Sequence, residues 1–348
     1  MKHLRLPLAL VLIALLSACQ PKMGRLLMPE NGWTLAFHNV ENLFDTINDP
    51  TINDEEFLPG SKVSWNTKRY QHKLSQTSKV IAAMDTFNFP HLVGLCEIEN
   101  RKVLEDLVAQ AHIKEAGYNI IHFEGSDDRG IETAMIYRPS FFKPLVQRPV
   151  KVFNEETKAA YRDILYVKGL VATTDTLHVF INHWTSRYGG RETTENARRL
   201  TGTVLKSVSD SILQAQPNSN IVIMGDFNDN PTDASLTEHL FALDPEKAVE
   251  ANKLYNLSLR GFSAGNGTLY YNGWDMFDQI IVSGNLIEPT SGKIILDGTE
   301  IVKKDWMLFK GSNGVARPNR TMSGGKYFGG FSDHLAVMVR LKPLTNQE

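Results

Sequence analysis

Five short segments of this chain end an apolar run in side chains able to hold a cation, move a proton or bind a phosphate. They are Phe37-His38-Asn39-Val40-Glu41-Asn42, Leu92-Val93-Gly94-Leu95-Cys96-Glu97, Ile181-Asn182-His183-Trp184, Ile221-Val222-Ile223-Met224-Gly225-Asp226-Phe227-Asn228 and Phe331-Ser332-Asp333-His334. A carboxylate at a strand end is costly if dry and unpaired. Several around one cleft make physical sense if they hold a divalent cation. Hard oxygen donors suit Mg²⁺, Mn²⁺ or Ca²⁺, whereas zinc would want more histidine or cysteine. Each segment alone says little. An Asp-x-Asn after a strand is commonly a turn or a helix cap, and a lone histidine is commonly a structural hydrogen-bonding group. The order carries the weight: Asn, Glu, His, Gly-Asp-x-Asn, Asp, then Ser-Asp-His.

That order resembles the endonuclease/exonuclease/phosphatase superfamily of DNase I-like enzymes, over about Trp33 to Leu341. Gly225-Asp226-Phe227-Asn228 and Ser332-Asp333-His334 are its most specific marks. Asn39-Val40-Glu41-Asn42-Leu43-Phe44-Asp45, Asn182-His183-Trp184 and Gly329-Gly330-Phe331-Ser332-Asp333-His334 look more like a bacterial secreted branch. The resemblance implies an α/β fold, a two-sheet, four-layer sandwich, and a metal-dependent phosphoesterase. Position by position, it implies Asn39, Glu97 and Asp333 on the metal side, with Glu41 where some members carry a second acidic group. Asp226 matches the aspartate that orients or deprotonates the attacking water, and Asn228 the amide that helps hold it. His183 matches a histidine on the phosphate or leaving group. His334 matches the catalytic histidine, with Asp278 as the carboxylate that orients it. The chain has Asp278-Gln279 where the family usually has Asp-His, and Asp275 lies close by. The implied cofactor is Mg²⁺, with Mn²⁺ or Ca²⁺ as alternatives.

The chemistry has its own logic. A phosphodiester is anionic and repels nucleophiles. A cation and an imidazolium on its oxygens would stabilise the charge that builds in the transition state. A carboxylate beside the water supplies general-base help, and a second carboxylate against His334 would fix its tautomer and favour its charged form. Guanidinium forks suit phosphate oxygens. Arg129, Arg187 and Arg320 are the candidates for substrate contact. Arg191, Arg198 and Arg199 read equally well as charges solvating a helix face. Trp274, Tyr270 and Tyr271 have the chemistry to stack on bases or sugars, and Trp184 reads as core.

These residues need elements to place them. Strands are expected at 33–40, 91–96, 133–138, 166–171, 176–182, 220–224, 277–282 and 335–341, from short apolar or alternating runs. Helical spacing marks 65–84, with Leu74, Val80 and Ile81 inside and Lys68, Arg69 and Lys73 outside. It also marks 101–110 and 192–214. Strands alternating with helices fit two sheets covered by helices. Segments 244–274 and 307–331 are irregular, and the second is rich in glycine. Long loops of this kind inside a compact domain commonly form the lips of a cleft.

The N-terminus reads as a processing signal. Lys2 and Arg5 precede an apolar run from Leu6 to Leu16, too short for a stable span. Leu16-Ser17-Ala18-Cys19 resembles a bacterial lipobox, so residues 1–18 are expected to be a lipoprotein signal peptide. Cys19 is the expected lipidation site, residues 19–31 the tether, and 32–348 one domain. Gln20 after the cysteine favours the outer membrane. Only two cysteines exist, which excludes a disulfide framework and a cysteine-rich zinc site. Cys96 is expected as a small buried hydrophobe. The 348 residues are 42% hydrophobic and carry a net charge of −2. That is a folded domain with no global attraction for nucleic acid, so a nuclease would depend on a local site. The leading expectation is an extracytoplasmic nuclease acting on DNA or RNA as a monomer, membrane-held through its lipid. The alternatives are a phosphatase or phosphodiesterase on a small or lipid phosphoester, and an inactive surface binding lipoprotein. The full residue set argues against the last.

Overall fold

The computed structural model describes residues 32–344 apart from 126, 172–174 and 313. The expected signal peptide, lipidated Cys19 and tether lie outside the described residues.

Twelve strands build two six-stranded sheets. In chain order the strands are β1 (Trp33–Leu43), β2 (Leu92–Ile98), β3 (Asn119–His122), β4 (Glu132–Tyr137), β5 (Phe142–Asn154), β6 (Ala159–Val171), β7 (Thr176–His183), β8 (Asn220–Asp226), β9 (Leu254–Asn256), β10 (Asp278–Ser283), β11 (Ile294–Val302) and β12 (Ala336–Pro343). One sheet has the order β11-β12-β1-β2-β4-β3, the other β5-β6-β7-β8-β10-β9. The β1–β2 and β7–β8 pairs are parallel. Both pairs are central, and helices make both crossovers: α1 (Thr67–Met84) between β1 and β2, and α3 (Arg191–Ala215) between β7 and β8. A parallel connection of this kind needs such a crossover.

Side-chain alternation then dictates the layers. In β1, Leu35 and Phe37 face the second sheet, while Ala36 and Val40 face α1 and α2 (Arg101–Val108). In β8, Val222 and Met224 face the first sheet, while Ile221 and Ile223 pack with Leu205 and Leu213 of α3. The result is helix, sheet, sheet, helix: the four-layer sandwich. Asn66 and Asn100 start α1 and α2 by accepting the Arg69 and Val103 N–H groups, which satisfies an otherwise orphan donor at each helix start.

Lys73 departs from the expectation of an exposed helix face. It is fully buried, and its Nζ donates to Thr321 Oγ1 at 2.6 Å and to the Phe331 carbonyl at 2.8 Å. The glycine-rich loop folds over that face of α1, which periodicity could not anticipate. Arg198 likewise does not solvate a helix face. It is buried, with Nε 2.8 Å from Asp229 Oδ2. Trp184 and Cys96 lie in the core.

Candidate active site

The inward alternation of the central strands runs on past the apolar core and turns polar at one end. Leu35 and Phe37 are followed by Asn39, Ile181 by His183, Val222 and Met224 by Asp226. In the antiparallel β10, Val282 and Ile280 lead back to Asp278. Register aligns these ends. His183 is paired with Asp226 across β7–β8, and Asp278 with Asp226 across β8–β10. One imidazole and two carboxylates therefore form a row across three adjacent strands of one sheet, and Asn39 faces them from the other.

Contacts close the set. Asn39 Nδ2 donates to Glu97 Oε1 at 3.1 Å and to Asp226 Oδ2 at 3.0 Å. His183 Nε2 lies 3.8 Å from each of those two oxygens. His334 Nδ1 is 2.7 Å from Asp278 Oδ2, and its Nε2 is 3.9 Å from Asp226 Oδ2. Asn228 donates its backbone N–H to Asp226 Oδ1 at 2.9 Å, and its side-chain amide to the Trp184 carbonyl at 3.0 Å. His334 is pinned from three sides. Ser332 Oγ accepts its backbone N–H at 3.0 Å and donates to the Asn39 carbonyl at 2.7 Å. Leu335 N–H donates to the Thr268 carbonyl at 2.8 Å, and Thr268 Oγ1 accepts the Asp278 N–H at 3.1 Å.

Local backbone geometry aims the outermost groups. Glu41 and Asn42 (both φ 56°), Glu97 (φ 62°) and Asn228 (φ 50°) occupy the left-handed region, which non-glycine residues seldom adopt. Glu97 sits where β2 shifts register against β4, and Glu41 and Asn42 where β1 shifts against β2. Such bulges re-aim side chains at strand ends.

Burial and charge set the protonation states. Burial alone would depress the His334 imidazole, but the Asp278 and Asp226 carboxylates outweigh it and hold it well above the usual histidine range. The charged imidazolium is the form these carboxylates favour. His183 is held well below that range by burial, with the Arg162, His334 and Arg129 charges adding to the effect, so it is neutral. Asp226 is pushed up to about 7, chiefly by burial and partly by Asp278, against the pull of His334. A carboxylate that titrates near neutrality is suited to take up a proton.

The other expected residues are distributed differently. The carboxylate of Glu41 does not join Asn39 and Glu97. It accepts the N–H groups of Thr321 and Met322, the latter at 3.0 Å, and so anchors the glycine-rich loop. Asp333 accepts from Arg320 Nη2 at 2.7 Å, and Arg320 Nε is 3.5 Å from Glu41. This trio sits beside the cleft. Arg187 is spent on Asp229, Asp233 and the Asn228 carbonyl and braces the loop after β8. Arg129 is exposed at the rim, donating to Asn42 Oδ1 at 2.9 Å. Two residues that sequence reasoning missed matter here. Arg162 pairs with Asp127 at 2.8 Å and donates to the Trp184 carbonyl at 3.2 Å, and Lys73 holds the far side of the loop. Neither lies in a motif. Helical spacing put Lys73 on the outer face and no expected strand covered Arg162, so the sequence carried no signal for either.

The donor set fits a hard divalent ion. Glu97 and Asp226 each turn a carboxylate oxygen to the same Asn39 amide and the same imidazole. Such an arrangement of like charges is relieved by a cation. Among the described residues no three His, Cys, Asp or Glu side chains form a closed ligand group. Mg²⁺ does not need one, because it is commonly held by one or two carboxylates, water and substrate phosphate. Glu97 is the residue that would hold it; Asn39 turns its Nδ2 to the site and its Oδ1 to the Glu41 N–H, so its amide would have to flip to ligate.

Three solved structures share this architecture. The D. rerio TDP2 complexed with single-strand DNA product superposes with a TM-score of 0.53 at 16% identity, over 90% of this chain and 100% of that one. A Bacteroides thetaiotaomicron mannosyl-6-phosphatase gives 0.53 at 16% identity, over 89% and 99%. The human Nocturnin catalytic domain gives 0.53 at 13% identity, over 90% and 95%. At these identities the likeness is one of fold. No curated protein sequence matches. The sequence profile described as Endonuclease/Exonuclease/phosphatase family matches residues 34–343, nearly the whole described chain, and the protein belongs to that family.

Proposed function

We propose that this protein is a metal-dependent phosphoesterase, a nuclease that hydrolyses phosphodiester bonds of DNA or RNA outside the cytoplasm. The observation that carries the reading is the facing pair at the mouth of the sandwich: the His334 imidazole, held by Asp278 at 2.7 Å, with its Nε2 3.9 Å from Asp226 Oδ2. Asp226 takes the proton of a water that attacks phosphorus, and Asn228 holds that carboxylate in place. His334 places its Nε2 hydrogen and positive charge against a phosphate oxygen as charge builds there. Neutral His183 offers a hydrogen bond from the other side. Glu97, with Asn39 beside it, would hold a divalent ion, which would supply further charge to the phosphate.

The test incubates the protein with plasmid DNA, RNA and bis-p-nitrophenyl phosphate, with Mg²⁺ or with EDTA, beside His334→Ala. The expected result is metal-dependent cleavage of nucleic acid, with the variant down about 10²–10³-fold or more and still folded by far-UV circular dichroism. A fully active His334→Ala removes the proposal. Metal binding has its own readout. Mg²⁺ should raise the thermal midpoint of the wild type by mass action and leave that of Glu97→Gln unmoved.

The second reading is a small-phosphoester hydrolase. It is favoured by the net charge of −2 and by the commitment of Arg187 and Arg320 to carboxylates, which leaves few cations to track a polymer. Cleavage of the small ester with nucleic acid untouched would select it. Anchoring through Cys19 at the outer membrane is proposed on the lipobox-like sequence. Palmitate labelling that persists in Cys19→Ala would remove it.

A further inference from the structure

Exposed aromatic rings are ordinary when scattered and informative when they gather. Tyr271, Phe309 and Phe328 are 77%, 50% and 60% exposed. They come from three separate segments: one follows the Leu269–Tyr270 strand, one lies in the Leu308–Lys310 strand of a hairpin with Ala316–Pro318, and one follows the Lys326–Tyr327 strand. Far apart in sequence, all three edge a single recess of about 310 Å³.

That recess lies beside the cleft. Asp333, next to the catalytic histidine, lies in its wall together with Arg320. Leu269, beside Tyr270, bridges directly to His334. The cations differ in an informative way. Arg320 is held by Asp333 at 2.7 Å. Arg317 lies in the same wall with its guanidinium 5.7 Å from the centre of the Phe309 ring, and it pairs with no carboxylate among the described residues. One unneutralised guanidinium among three exposed ring faces suits a ligand that is flat, aromatic and anionic. Stacked bases gain about 1–3 kcal/mol each on such faces, whatever their identity.

We propose that this recess is a nucleoside-binding subsite, in which a base flanking the scissile phosphate stacks on Tyr271, Phe309 and Phe328 while a neighbouring phosphate meets Arg317. The proposal rests on the nuclease reading and deepens it. A phosphosugar can lay a C–H face on one such ring, but it lacks the flat π surface of a base.

The experiment titrates the full-length protein with thymidine 3′,5′-bisphosphate, mannose 6-phosphate and inorganic phosphate by calorimetry, and follows methanol release from dimethyl phosphate, a methyl ester with no ring, in parallel. The variants are Tyr271→Ala, Phe309→Ala, Phe328→Ala and Arg317→Gln. The expected result is that the nucleotide binds tighter than the other two. Each aromatic variant weakens it by about 5- to 100-fold, and turnover of the methyl ester, which has no base, is unchanged. Nucleotide affinity untouched by the aromatic variants overturns the subsite, as does tighter binding of mannose 6-phosphate that those variants abolish. A parallel loss of methyl ester turnover would show damage to the cleft and also overturn it. Failure of the wild type to cleave the methyl ester would count against the catalytic reading alone, because nucleotide binding is read without turnover.

Discussion

His334 is governed by two opposed influences, and their balance decides what it can do. Burial favours the neutral ring; Asp278 at 2.7 Å and Asp226 favour the charged one, and the carboxylates win. Asp278→Asn keeps a hydrogen-bonding partner and removes the charge. The folded-state pKa of His334 then falls, and the imidazolium is lost at lower pH. The alkaline limb of the kcat/KM profile should move to lower pH, with turnover down about 10²–10⁴-fold. An unmoved alkaline limb would mean that His334 is not the group it reports. The arginines show the limit of reading residues by type. Arg187 and Arg129 carry the same guanidinium, yet two carboxylates and a carbonyl absorb the first, and the second remains at the rim. Nothing in the local sequence separates a phosphate fork from a loop brace.

Among the elements, the central strands were legible because their runs are apolar, and their polar terminal residues share the parity of the inward face. The edge strands were not. β5 and β11 close one side of their sheets and leave much of their length exposed, so no apolar run marks them. Pro144 and Pro149 in β5 are tolerable only because that strand is an edge. The 307–331 loop read as irregular, and it folds into two small hairpins clamped by Glu41 and Lys73. Gly330 is where that clamp is tightest. A Cβ there would meet the Asn319 and Arg320 carbonyl oxygens at 2.1 and 2.5 Å. Both are backbone atoms and cannot swing aside. Gly330→Ala should therefore displace the segment carrying Asp333 and His334. Turnover should fall at least about 10²-fold, since misplacement of a reacting group by about 1 Å costs that much. Steady-state kinetics beside far-UV circular dichroism check this: normal activity would show that the loop does not position the histidine.

At the scale of the whole molecule, the site exists because two sheets hold a fixed separation. Asn39 comes from one sheet and Asp226 from the other, and a hydrogen bond of 3.0 Å joins them. Gly94 helps set that spacing from the middle of β2. A Cβ there would lie 2.6 Å from Ile181 Cδ1 and 3.2 Å from Phe37, both buried in the inter-sheet core. Gly94→Ala should destabilise the protein by about 1–3 kcal/mol through overpacking. Chemical denaturation measures that loss. A variant as stable as the wild type would show that Ile181 repacks freely and that the spacing is set elsewhere.

Sequence by itself determined the layered architecture and the chemical cast. Alternation and helical spacing are local properties, and each strand that ends in Asn39, Glu97, His183 or Asp226 carries its signal within a few residues. Tertiary structure alone decided which charges meet. Glu41 stands two residues from Asn39, yet the register shift in β1 turns it to the opposite job of holding a loop 280 positions away. The pairing of Asp278 with His334, which the family resemblance implied, is brought about by the pairing of β10 with β8 and by the 268 segment that pins both. The three ring faces beside Asp333 come together only when separate segments fold over one recess. Such pairings depend on register, loop closure and burial, which are long-range properties with no local signature in the chain.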